Sequence, residues 1–112
     1  MPSTEQNVDK LIRKAIGQKR LLRFVYQGKN RVVEPHDYGI YKGSVKLLAY
    51  QVGGSSSGRI PNWRWIEADQ IADIELLPKT FRGGRSEPSG QHHQWEALYA
   101  RVGSPDEKQA FP

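Results

Sequence analysis

Four cations lie in stretches that alternate apolar and polar residues as strands do: Arg23, Arg31, Lys46 and Arg64. Neighbouring strands run about 5 Å apart, so such groups can converge on one face of a sheet. A guanidinium presents a planar fork of donors that matches phosphate oxygens. Tyr26, Tyr38, Tyr41, Tyr50, Trp63 and Trp65 are interleaved with these cations and offer ring faces on which bases stack. Basic strands with aromatics are how small barrels hold single-stranded nucleic acid. The candidate binding set is therefore Arg31, Arg64, Lys46 and Arg23 with Tyr26 and Tyr50. The competing reading makes the arginines surface charges paired with Glu34, Glu67 and Glu75, and Trp63 or Trp65 part of the core.

Catalysis has little to stand on. His92 and His93 have no clustered carboxylates, and His36 with Asp37 is a lone pair in an expected turn. There is no cysteine, and no His/Asp/Glu spacing suggests a metal site. Ser55, Ser56 and Ser57 lack a nearby base, and Gly53-Gly54 lacks the strand, lysine and helix of a phosphate loop. The expectation is a non-enzyme without metal or cofactor.

The elements that must position these residues follow from periodicity. Residues 1–7 are polar and expected to be disordered. Val8, Leu11, Ile12, Ala15 and Ile16 recur at helical spacing, with Gly17 as the expected stop. Leu21 to Gln27 alternates as a first strand, Gly28-Lys29-Asn30 reads as a turn, and Arg31 to Glu34 is a second strand ended by Pro35. His36 to Gly43 is read as connecting turn. Ser44 to Val52 is an interior strand, with apolar residues on both faces. A Gly/Ser loop over 53–58 follows, either a surface loop or a lid. Trp63 to Glu67 and Ile71 to Leu77 are the fourth and fifth strands, and Phe81 is the last core anchor. Residues 82–91 are linker-like. Trp95, Leu98, Tyr99 and Val102 stand at spacings of three, four and seven, which predicts a short helix over 92–102 in the tail. The class is mainly β (α+β): a helix, then a five-stranded, strongly bent small barrel over 8–81, then a tail over 82–112.

Charge supports an anionic partner. The 112 residues carry a net charge of +5, but 1–85 carry +7 and 86–112 carry −2. A basic domain favours nucleic acid, nucleotides or acidic proteins. No apolar run approaches the roughly 18 residues of a membrane span, and no signal peptide is visible, so a cytoplasmic protein is expected.

Several segments, in order, resemble the WYL domain of bacterial regulators. Leu11-Ile12-Arg13-Lys14-Ala15-Ile16 resembles its opening helix, and Leu22-Arg23-Phe24-Val25-Tyr26 its first strand. Arg31-Val32-Val33-Glu34-Pro35 is similar to its Arg, two apolar, Glu, Pro segment. Val45-Lys46-Leu47 stands where the name-giving Trp-Tyr-Leu would be, Arg64 to Ile71 where the family ends in Asp-Arg-Ile, and Phe81 at its closing Phe. Two departures are Val45-Lys46 in the triplet and Asp69-Gln70-Ile71 at the ending. The resemblance implies an Sm-like or SH3-like barrel, a sensing or nucleic-acid-binding role, and Arg31 and Arg64 as leading site residues. Family members usually follow a DNA-binding helix-turn-helix; here seven residues precede the predicted helix, so no recognition helix is expected. The leading function is a regulatory module that binds single-stranded nucleic acid or a nucleotide. The alternative is a protein-interaction or oligomerisation module of a regulatory or defence system, pairing with a partner or a second copy, its ancestral ligand site lost.

Overall fold

The computed structural model describes residues 4–54, 62–83 and 95–103. The expected Gly/Ser loop lies mostly outside these residues, as do much of the linker and the ends of the chain. Helix α1 (Thr4–Gln18) opens the fold. Six strands follow: β1 (Arg20–Tyr26), β2 (Lys29–Tyr41), β3 (Ser44–Gly54), β4 (Asn62–Glu67), β5 (Ala72–Thr80) and β6 (Ala97–Arg101). A single 3-10 turn, Ala68–Gln70, joins β4 to β5.

The helix buries Val8, Ile12, Ala15 and Ile16, one stripe of an amphipathic surface. It starts earlier than the apolar periodicity and runs through Gly17. Lys19, with φ of 53°, makes the break instead, so glycine was not needed to end it. The Lys19 carbonyl accepts the Phe81 N–H at 2.9 Å, and Phe81 packs on the core as expected.

Two tight hairpins set the register. Gln27-Gly28 and Lys42-Gly43 each have two successive positive φ values, the geometry that matches the twist of paired strands. The second strand is far longer than its sequence suggests. It runs through Pro35 and on to Tyr41, so His36 to Tyr41 is strand and not turn. A register shift falls between Pro35 and Asp37, and this bulge absorbs the N–H that proline lacks.

At that same place β2 changes neighbours. Val33 to Lys29 pair with Leu22 to Tyr26 of β1, whereas Asp37 to Ile40 pair with Arg101 to Ala97 of β6. The tail segment is therefore a sixth strand and not a helix. Val102 is buried and donates its N–H to the His36 carbonyl at 2.8 Å. Gly39 makes this docking possible: a Cβ there would run into the Ala97 carbonyl oxygen and lie 3.0 Å from the Leu98 Cα.

The strand order is β4-β3-β2-β1-β5, with β6 on β2, all antiparallel. The expected barrel is an open, bent sheet: among the described residues β4 and β5 form no ladder. A side chain ties the two sides instead, since Tyr26 on β1 accepts the Glu67 N–H at the end of β4 at 3.0 Å. The inner face carries Leu22, Phe24, Val33, Leu47, Ala49 and Ile66, all sealed from solvent against α1. Each such large side chain contributes about 1.5–3 kcal/mol of burial. No helix of the described residues is long and apolar enough to cross a membrane.

Gly39→Ala forces β6 off its place. We expect a loss of about 1–3 kcal/mol from overpacking. Thermal denaturation should show a melting point lower by several degrees, and hydrogen exchange should show 97–101 losing protection while the β1–β2 hairpin keeps its own.

Candidate anion-binding site

Parity along the strands divides the expected site residues between two faces. Phe24 pairs with Arg31, Val33 with Gln51, and Ala49 with Arg64, which puts Arg31, Gln51 and Arg64 on the inner face beside Tyr26. Lys46 and Tyr50 pair with Glu67 and Trp63 and belong to the outer face. Arg23 alternates with Leu22 and Phe24 and points out on the β1–β5 side.

The inner group is built on Gln51, whose side chain is fully buried. Its amide nitrogen donates to the Gly53 carbonyl at 3.0 Å, which aims the amide oxygen at the cations. That one oxygen accepts from Arg31 Nη1 at 3.2 Å and from Arg64 Nε at 3.3 Å. Arg31 also donates from Nε to the Tyr26 carbonyl at 3.3 Å, and its guanidinium lies 5.3 Å from the Tyr26 ring centroid. Arg31 is only 5% exposed, whereas Arg64 is half-buried and donates to the Trp63 carbonyl. Burial, and then the positive charge of Arg64, push the Arg31 pKa below its ordinary value, with Tyr26 opposing. Gly54, with φ of +82°, lets β3 end against β2 here, since a Cβ would sit 2.8 Å from the Arg31 Cα.

The outer residues are engaged in other work. Lys46 Nζ lies 3.1 Å from Glu67 Oε1 and donates to the Tyr41 carbonyl at 2.8 Å and to Ser44 Oγ at 2.6 Å. Ser44 donates to the same carboxylate at 3.0 Å. Hydrogen bonds from Lys46 and Ser44 hold the Glu67 carboxyl below its usual range. Arg23 pairs with Glu75 at 2.9 Å and donates to Asn30 and to the Asp73 carbonyl. The pairing of cations with Glu67 and Glu75 is thus realised for Lys46 and Arg23.

Aromatic rings cover the same outer face. Tyr41 stacks on Trp65 with centroids 4.7 Å apart, and Trp95 leans on both. Tyr50 meets Trp63 edge-on at 5.2 Å, and Trp63 meets His36 at 4.7 Å. Trp63 and Trp65 are half-buried, so neither is sealed core nor fully presented.

Sequence reasoning missed three buried polar groups. Gln51 had a signal, a polar side chain at the alternating positions of β3 that otherwise hold Val45, Leu47 and Ala49. His36 and Asp37 are each 1% exposed. Asp37 is held by Arg101 Nε at 2.9 Å, and His36 Nδ1 sits 2.8 Å from the Glu34 carbonyl. Tyr38 donates to Asp9 at 2.9 Å, and burial together with that bond raises its pKa. Among the described residues no group of three His, Asp or Glu side chains could hold a metal.

Two outcomes follow. Gln51→Leu removes the shared acceptor and should cost about 1–3 kcal/mol, measured by urea denaturation. Adding Arg31→Met to it should return part of that loss, since the buried cation goes with its acceptor. Glu67 supplies a pH test. Its depressed folded-state pKa gives stability that is present above the unfolded value of about 4.3 and is lost as pH falls through the folded value. Glu67→Gln should therefore flatten the acid limb of a stability–pH profile below about pH 5.

No protein-family model matches the chain, and no curated protein does. Among solved structures, the chain is similar to proteasome accessory factor B/C (PafBC) of Arthrobacter aurescens. The likeness covers 80% of this chain and 14% of that one, at 20% identity and a TM-score of 0.60. The likeness shows a shared fold.

Proposed function

We propose that this domain is a non-enzymatic regulatory module whose Arg31–Gln51–Arg64 cluster binds a phosphate group, carried by a nucleotide or by the end of a single nucleic-acid strand. One observation carries the reading. Two guanidinium groups converge on a single neutral amide oxygen, and one of them is buried. Burial and like charge both make the Arg31 cation costly. A bound anion relieves both, and a forked donor matches its oxygens.

The geometry also limits the ligand. An extended strand laid across a surface needs a row of exposed cations. Arg23 and Lys46, which would have extended such a row, lie off this cluster in ion pairs of their own. Among the described residues, half-buried Arg64 is the cation that shares this acceptor with Arg31, which suits one phosphate better than a tract of them. The likeness to PafBC, a regulatory protein, fits a regulatory role.

Fluorescence anisotropy with a labelled short oligonucleotide, with and without a 5′-phosphate, tests this. The phosphorylated probe should bind more tightly, with a salt dependence of about one to two ionic contacts. Arg64→Ala should weaken it at least tenfold, and Gln51→Glu should do the same by supplying an internal carboxylate. Arg23→Ala should change nothing. Equal binding of both probes, or full binding by Arg64→Ala, would overturn the assignment.

A further inference from the structure

Strand β6 pairs with β2 on one side, and among the described residues its other edge joins no ladder. The two large hydrophobic side chains exposed among the described residues, Leu98 at 43% and Tyr99 at 38%, both lie on it. An open edge carrying adjacent apolar side chains is a template for another strand. We propose that this edge is a self-association surface, where β6 of one molecule pairs antiparallel with β6 of a second copy about a two-fold axis near Tyr99.

A two-fold contact sets a patch against itself, so the patch must be complementary to its own image. Centred on Tyr99, antiparallel pairing sets Leu98 against the second copy's Ala100, and Ala97 against its Arg101. No like charges face one another directly. The charges at the strand ends are moreover engaged within the molecule: Arg101 with the buried Asp37, and the Glu96 carboxylate with the Gly43 N–H at 3.1 Å.

The flank of the strand is also self-complementary. Arg13 lies 4.9 Å from the Tyr99 ring centroid and is paired with Asp9 at 3.0 Å, both charges being well exposed. A two-fold axis near Tyr99 brings one charge of each sign from each copy together, an arrangement that rewards pairing with a second copy. The register shift between Tyr38 and Gly39 makes Tyr99 an extra residue, which limits the new ladder to a few pairs. One short strand gives an interface at the small end of the specific range, so the expected dissociation constant is on the order of 100 µM.

Sedimentation equilibrium of the full chain from about 10 µM to about 1 mM reads this directly. The mean mass should rise toward twice 12.7 kDa. Leu98→Lys, at an exposed position, should stay monomeric with an unchanged melting temperature. Tyr99→Ser should also weaken association, and Asp9→Arg should weaken it further by destroying the charge balance. A monomer throughout the range overturns the proposal. So does a dimer that Leu98→Lys and Tyr99→Ser leave intact, since the contact then lies elsewhere.

Discussion

Everything in this fold answers to the hydrogen-bonding needs of β2. A thirteen-residue strand inside a sheet has two edges of backbone donors and acceptors, and each buried group left without a partner costs about 1–3 kcal/mol. β3 follows one edge along nearly its whole length. The other edge is shared, β1 serving residues 29–33 and β6 serving 37–40, with the bulge at Pro35–His36 between them. Without β6, the carbonyl of buried His36 and the carboxylate of Asp37 would lose partners, and Val102 would leave the core. The distant C-terminal strand is thus integral to the domain.

The same sheet separates two kinds of polar chemistry. On the outer face, Lys46, Ser44 and Glu67 close on one another in a compact network beside the Tyr41–Trp65 stack. Each polar atom named there has a counterpart, so the arrangement gains from rigidity and holds the β3–β4 pairing in register. On the inner face, Arg31 and Arg64 meet over a neutral amide, and the charge is shared without being cancelled by that acceptor. Folding stability accounts for the first arrangement. In the second, burial and the neighbouring positive charge lower the Arg31 pKa, and that is the feature on which the proposed anion site rests.

Much of this was legible in the chain. Leu22, Phe24 and Tyr26 alternate as a half-buried strand should, and glycines mark both hairpins within a residue or two. The tail was misread for a specific reason. Trp95, Leu98, Tyr99 and Val102 have helical spacing because the bulge at Tyr99 breaks the two-residue alternation that a regular strand would display. Pro35 misled in the same way: a proline ends a strand unless a bulge takes up its missing donor. Both errors come from irregular pairing, which depends on a neighbour remote in sequence and so leaves no local periodicity.

The candidate site shows the same division between local and remote information. That Arg31, Lys46 and Arg64 lie on strands follows from local alternation. Which of them share a face depends on register, because a shift of one residue moves a side chain to the opposite side of the sheet. Ala49 opposite Arg64 fixes that parity and sends Lys46 and Tyr50 away from the guanidinium pair. Val45 and Lys46, where the resembled family has its Trp and Tyr, fall on opposite faces for the same reason: Val45 packs toward the core, while Lys46 joins Glu67 outside. The altered triplet therefore leaves the arginine cluster untouched. The cluster depends instead on Gln51, a residue outside the segments that carry the family resemblance, and on the Gly53–Gly54 backbone that orients its amide and lets the strands close beside it.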